Sequence, residues 1–428
     1  MISKSLSFLT TKYAKKAGDY YLKSKDFNGF PISDIDLPQE TRIRLLNRMV
    51  RLRLVDVNFG DNHPNPHIKA LELGSSKIQL EKLRKADIGS ACLYPTKSYL
   101  KGIVNISKYA EKPFDLLLAL GEPQLGFRAF DIDVLEFYRN DPRFRFFNDG
   151  VYGSIGVRSA RFGSKEMNKR NNSFLQTFGY CFSAKKFKRA VAVYLRYLCN
   201  LSSEHQQIWK TKLLSGKYII HPDYYTASMG EWPEKEPIFT AFLEEIHHIN
   251  KMAELAGMPP LFKKEYSQEN RPDNFMFLVR ATKKEYSDFV HTLDKMLSEN
   301  INIDFFRDDS IYMATYTNNR DGTKNKLNKG SIILLKEWVE KHFNTTDQEP
   351  LKKMVSTLKK IRSLRQSPAH EVEENEFNQK YFKMQRELIS EAYDAIRTIR
   401  LIFTNFPNVR GVYKDVPTWL YEGKIRGF

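Results

Sequence analysis

Long apolar runs are missing from this 428-residue chain. Stretches such as Phe114-Asp115-Leu116-Leu117-Leu118-Ala119-Leu120, itself interrupted by Asp115, fall far short of the roughly 20 residues a membrane-spanning helix needs. Cysteine is scarce. Cys92, Cys181 and Cys199 are too few and too unevenly placed for a disulfide framework or a zinc site. No Gly-x4-Gly-Lys-Ser/Thr loop occurs, so the backbone cradle for nucleotide phosphates is absent and NTP hydrolysis is not expected. No internal repeat or long low-complexity linker is present, so domain boundaries must come from changes of pattern. In MISKSLSFLTTKYAKKAG, Lys12, Lys15 and Lys16 interrupt a weak apolar patch before any signal-peptide core forms. The expectation is a soluble, cytoplasmic protein with no membrane partner.

Acidic residues are also in deficit, 51 against 68 Lys plus Arg, which leaves a net charge of +17. Such a balance favours polyanion partners, nucleic acid first among them. Hydrophobic residues at 41% and aromatics at 13% suffice for real cores, and the length suggests two or three domains. We read a multidomain α+β protein: an N-terminal mixed α/β region over 1–110, a basic α+β middle domain over 111–270, and a helical module over 271–428.

Local pattern supplies the elements. Pro38-Gln39-Glu40 opens a helix with Leu45, Leu46, Met49 and Val50 on one face, and Leu54–Val57 reads as extended, a pairing compatible with a winged-helix-like start. Residues 111–157 alternate apolar runs with turns and suggest strands. Lys185–Cys199 predicts a basic helix with Phe187, Val191, Tyr194, Leu195 and Leu198 on one side. Another helix is expected over 236–256, and 257–275 reads as a linker. Beyond it come a strand at Phe275–Arg280, a helix at Lys283–Glu299, a β-excursion around Ile311–Tyr316 and Asp321-Gly322, and helices over 331–343, 351–365 and 368–404.

The segment LKKMVSTLKKIRSLR at 351–365 carries the sharpest signal. Leu351, Met354, Val355, Leu358 and Ile361 form one stripe, and Arg362 and Arg365 project within it, whereas the lysines fall outside its centre. An arginine on an inward face needs an anion, an acidic partner or a cavity. Acidic side chains such as Glu387 or Glu391 would serve; so would a phosphate. Pro368 disfavours helix at Ser367, which can then cap the next helix with Pro368 at its first position and His370 at its third. The positive helix terminus would depress the His370 pKa, and Glu371, Glu373, Glu374 and Glu376 would raise it.

Arg365-Gln366-Ser367-Pro368-Ala369-His370 resembles the R-x4–6-H motif of HEPN (higher eukaryotes and prokaryotes nucleotide-binding) domains, which also sits between two amphipathic helices of an all-α bundle. The following apolar face, Phe377, Tyr381, Met384, Leu388, Ala392, Ala395, Ile399 and Ile402, is similar. Gln366 departs from the Asn, Asp or His that often follows the arginine. The resemblance implies a HEPN-like bundle and a homodimer in which two motifs face each other. It further implies a metal-independent endoribonuclease without cofactor, often a toxin or antiviral defence effector. His370 would then move protons at the ribose 2′-OH and the leaving oxygen, and Arg365 would bind the scissile phosphate. Arg362, one turn earlier, is our addition as a second phosphate contact.

Other segments offer alternatives. Residues 157–196 hold ten Lys and Arg against one acid, Glu166, with Phe162, Phe174, Phe178, Tyr180 and Phe187 interleaved. This suits single-stranded RNA, with Lys185, Lys186, Lys188 and Arg189 as backbone contacts, or equally a solvated face over core aromatics. Glu244-Glu245-Ile246-His247-His248 has Glu-x-x-His spacing but no second copy, so a surface helix is expected. His63 and His67 flank prolines in a turn and lack evident companion ligands. Asp131 and Asp133 alternate on an expected strand and would suit Mg²⁺, although no companion lysine or second acidic motif accompanies them. A non-catalytic nucleic-acid-binding or regulatory protein, using the bundle only to dimerise, is the alternative to the enzyme.

Overall fold

Hydrophobic periodicity, Pro and Gly punctuation and side-chain caps set the elements of a mixed α/β chain with a helical C-terminal region. The structure, a computed structural model, describes residues 2–427 apart from 62, 64, 86–87, 159–173, 186–187, 232–233, 308–312, 319–323 and 367–373. Two compact units result, one of residues 1–147 and 151–232, the other of 148–150 and 233–428. The sequence reading placed boundaries near 110 and 270 instead.

In the first unit, α1 (Ile2–Lys23) and α2 (Gln39–Arg51) cover a three-stranded sheet of β1 (Phe30–Pro31), β2 (Val55–Asn58) and β3 (Cys92–Pro95), in order β1-β3-β2. Leu45, Leu46, Met49 and Val50, the expected face of α2, are all buried. α3 (Ser76–Lys85) packs on α2. α4 (Lys97–Ile103) is capped by Thr96, and α5 (Pro113–Ala119) has proline in its first turn. The Phe114–Leu120 run is thus helical.

A six-stranded sheet follows, built from β4 (Phe127–Phe130), β5 (Phe144–Asn148), β6 (Tyr152–Val157), β7 (Leu175–Ser183), β8 (Arg189–Tyr194) and β9 (Tyr218–Ile220). Its main path runs β4-β8-β7-β6-β5, with β9 against the end of β7. Short helices α6 (Glu136–Arg139), α7 (Leu195–Leu198), α8 (Ser203–Thr211) and α9 (Pro222–Ser228) pack around it. The basic helix expected over Lys185–Cys199 is therefore a hairpin turn, a strand and one helical turn. Ala190-Val191-Ala192-Val193-Tyr194 is buried at every position, so both faces of β8 are covered. A strand covered on both sides loses its alternation, and its apolar positions then also satisfy a helical wheel. Asp131 is likewise not on a strand. It caps a 3₁₀ turn over Ile132–Leu135 by accepting from Asp133 N, which carries Asp133 into that turn.

The second unit contains α10 (Ile238–Leu255), α11 (Lys283–Met296), α12 (Ser331–His342), α13 (Glu349–Gln366) and α14 (Lys380–Thr404). The α14 helix packs along α10 and α13, and α11 packs on α13. One core joins them. Phe239, Phe242, Phe275 and Phe289 fill one part, and Trp338 stacks on Phe403 and Phe406 at 5.4 and 5.5 Å. The expected linker contributes to this core through Leu261, Phe262 and Phe275. Phe275–Arg280 is buried but irregular; there Gln385 bonds Leu278 N and Met276 O, and Glu285 accepts from Val279 N, in place of a strand partner. The antiparallel ribbon β11 (Ala314–Asn318) and β12 (Lys324–Asn328) matches the expected β-excursion, whose Asp321-Gly322 turn lies outside the described residues.

The two-residue strands β10 (Glu236–Pro237) and β13 (Ile425–Arg426) pair in parallel, just after the single-turn helix α15 (Thr418–Tyr421). Residues 148–150 belong to this unit. Asn148 Nδ2 donates to Phe277 O at 3.0 Å, and Arg426 Nη2 donates to the buried Asp149 carboxylate.

Candidate functional site

Two helix ends build the site. Asp294 stands on the last turn of α11 with its side chain wholly buried; Arg365 stands on the last turn of α13, with Arg362 just before that turn. A helix C-terminus carries partial negative charge, so it favours the arginines on α13 and disfavours Asp294 on α11. Asp294 consequently needs cations from another element. Arg365 Nη1 donates to Asp294 Oδ2 at 2.7 Å and also to Glu299 Oε1. Arg362 Nη1 lies 3.6 Å from the same Asp294 oxygen, an ion pair beyond hydrogen-bond reach. The inward arginines are thus satisfied by carboxylates, but not by those the wheel suggested: Glu391 takes Lys360 at 2.7 Å, and Glu387 lies 3.7 Å from Lys383.

The cluster is not closed. The Arg365 side chain is 25% exposed, and its Nε and Nη2 make no hydrogen bond among the described residues. Asp294 Oδ1 and Ser298 Oγ are buried and without a hydrogen-bond partner among the described residues. The bonds to Asp294 and Glu299 push the Arg365 pKa above its ordinary value, and the bond from Arg365 holds the Glu299 carboxyl below its own. Two carboxylates and two guanidiniums nearly neutralise each other, and the Arg365 side chain keeps part of its surface in solvent.

His370, with Ser367 and Pro368, lies outside the described residues, and so does Lys186. Of the helix expected over 368–404, residues 374–379 are not helical and α14 begins at Lys380. Before it, Phe377 pairs with Thr282, Lys283 N donates to Glu376 O at 2.8 Å, and Asn378 N donates to Ala281 O at 2.8 Å. Asn378 Oδ1 then accepts from Lys380 N at 3.1 Å, a short turn that leads into α14. Phe377, expected on the apolar face of that helix, is exposed, while Tyr381, Leu388, Ala392, Ala395, Ile399 and Ile402 are buried as expected.

The other RNA-contact candidates sit in the hairpin between β7 and β8 of the first unit. Lys185 is exposed, Lys188 Nζ lies 3.9 Å from Asp131 Oδ2, and the Arg189 guanidinium lies 3.6 Å above the Tyr180 ring. Of the interleaved aromatics, Phe178 and Tyr180 are core and Phe174 is exposed. Phe162 and Phe187 lie outside the described residues.

The Glu-x-x-His segment corrects a second expectation, because it does not lie on a wholly exposed helix. Glu245 is fully buried, bonded to Arg400 Nε and to Tyr393 Oη at 3.2 Å. His248 is buried too, its Nδ1 2.7 Å from Tyr413 Oη, and burial pushes its pKa down to about 4. Among the described residues no group of three or more His, Cys, Asp and Glu could hold a metal ion, and no helix is long and apolar enough to cross a membrane.

Sequence reading missed Asp294 and Glu299. Asp294 carried a usable signal, an acidic residue on the inward side of α11 between Val290, Leu293 and Met296. No family model matches the chain, and no curated protein or solved structure matches it either.

Proposed function

We propose that the chain is a metal-independent endoribonuclease of the HEPN type, acting as a homodimer whose two R-x4–6-H motifs form one composite site. The observation that supports this reading most is Arg365 itself. Buried Asp294 and half-exposed Glu299 hold one nitrogen of its guanidinium, while Nε and Nη2 make no hydrogen bond among the described residues. A guanidinium fixed in this way meets a phosphate with little loss of side-chain freedom, and stabilises charge as it develops. In this reading the ribose 2′-OH attacks the adjacent phosphorus. His370 takes the hydroxyl proton or returns one to the departing 5′ oxygen, and Arg365, with Arg362 beside it, carries the extra negative charge. The nucleophile belongs to the RNA, so the chemistry calls for no cofactor. The first unit, with Lys185, Lys188 and Arg189 on its hairpin, would guide the strand or receive the trigger of a defence or toxin effector.

Incubation of the purified chain with single-stranded RNA tests the proposal. The wild type should yield fragments ending in 2′,3′-cyclic phosphate, with or without chelator. His370→Ala should abolish cleavage while leaving melting temperature and dimer mass unchanged.

A second reading draws on the same cluster. Asp294 is wholly buried and faces both arginines, which is what a purely architectural tie between α11 and α13 requires. The protein would then bind nucleic acid without cutting it. Tight RNA binding by a wild type that never cleaves selects this second reading.

A further inference from the structure

A cavity of about 230 Å³ opens in the first unit, where β6 and β7 meet α7 and α9. Its cause is local. The β6–β7 register shifts between Gly153 and Ile155, so Ser154 leaves the regular ladder and turns into the opening. Tyr224 of α9 lies flat against β7 because residue 179 is glycine: a Cβ there would come within 2.1 Å of the tyrosine ring. Tyr194 packs behind Tyr224, their rings tilted by 34° at 5.1 Å, and accepts a hydrogen bond from Ser228 Oγ at 2.9 Å, which fixes the α9 side.

The lining chemistry is selective. Aromatic rings of Tyr152 and Tyr197 and part of the buried Tyr224 form the walls, and Ser154, Gln176 and Thr177 supply neutral donors and acceptors. No Asp, Glu, Lys, Arg or His is among the described lining residues. Among these residues a phosphate, carboxylate or ammonium would find no countercharge, which is costly. A flat, uncharged, hydrogen-bonding ring meets stacking faces and amide or hydroxyl partners together. A cavity of about 150 Å³ already holds benzene, so this one has room for two fused rings.

We propose that this pocket accepts a single uncharged nucleobase, either as a free nucleoside or as one residue of a strand whose phosphates stay outside. The inference is independent of the ribonuclease reading, since Arg365 and His370 take no part in it.

Calorimetric titration of the full chain with adenosine, guanosine, cytidine and uridine tests it. At least one nucleoside should bind saturably, and Tyr197→Ala and Gln176→Ala should each weaken it about fivefold or more. Gln176 is exposed and Tyr197 half-exposed, so both variants should keep the wild-type melting temperature. Ala227→Phe, which fills the cavity from α9, should abolish binding. A single-stranded DNA decamer, which a ribonuclease cannot cut, separates the sources. Competition by the decamer assigns the base to a strand, and absence of competition assigns it to a free nucleoside; both support the pocket. No saturable binding of any nucleoside or of the decamer up to about 1 mM, or binding unchanged in both single variants, overturns it.

Discussion

Arg365 Nη1 lies 2.7 Å from Oδ2 of Asp294, a carboxylate with no solvent exposure, across 71 residues of sequence. The pair joins the C-terminal turns of α11 and α13, where both helix dipoles present negative charge.

Removing either partner should have unequal effects. Arg365→Ala leaves Asp294 buried with Arg362, 3.6 Å away, as its one ion-pair partner among the described residues, and should cost about 3 kcal/mol. Asp294→Asn leaves arginines that reach solvent and should cost about 1 kcal/mol. Urea unfolding of both variants, and of the double variant, measures the difference. Equal losses would mean that burial of Asp294 does not govern the cluster.

Glu299→Gln separates the two readings of the site. It removes one negative charge from Arg365 while Asp294 still holds the guanidinium in place. If Arg365 meets phosphate, RNA affinity should rise about tenfold at low salt, and its logarithmic salt dependence should steepen by about one unit. Anisotropy titrations across a salt series read both quantities. An unchanged affinity and slope would place Arg365 away from the RNA.

Acid should weaken the second unit through His248. Burial, with His247 and Arg400 nearby, lowers its pKa to about 4, against roughly 6.5 in an unfolded chain. Between those values the unfolded state binds more protons. Stability therefore falls as pH drops from about 6.5 to 4, by up to about 3 kcal/mol. His248→Gln should flatten that part of the profile. Denaturant midpoints at pH 7 and pH 5 for both proteins decide the matter.

Two glycines make a contrasting pair. Gly179→Ala forces a methyl into the Tyr224 ring and should cost about 2 kcal/mol or more. Gly102, near the end of α4, has nothing within 4 Å of a built Cβ. Gly102→Ala should stabilise by about 0.5–1 kcal/mol. Thermal melts of the two variants should shift in opposite directions.

Periodicity made much of this architecture legible. Leu45, Leu46, Met49 and Val50 mark α2, and Leu351, Met354, Leu358 and Ile361 mark α13, because each helix buries one stripe and wets the other. Where burial is two-sided or irregular, the pattern misleads. Strand β8 reads as a helix because nothing on it alternates, and Phe275–Arg280 reads as a strand although Gln385 and Glu285 supply its hydrogen bonds from helices. The inward arginines were visible in the wheel of α13. Their partners were not, since periodicity reports that a charge faces inward and says nothing about which distant carboxylate answers it.

The pairing of Arg426 with Asp149 has a consequence during synthesis. A ribosome has made 277 further residues by the time the guanidinium that neutralises Asp149 exists. Asn148 can meet Phe277 O much earlier, so this loop gains its contacts in two stages, the one to β13 last.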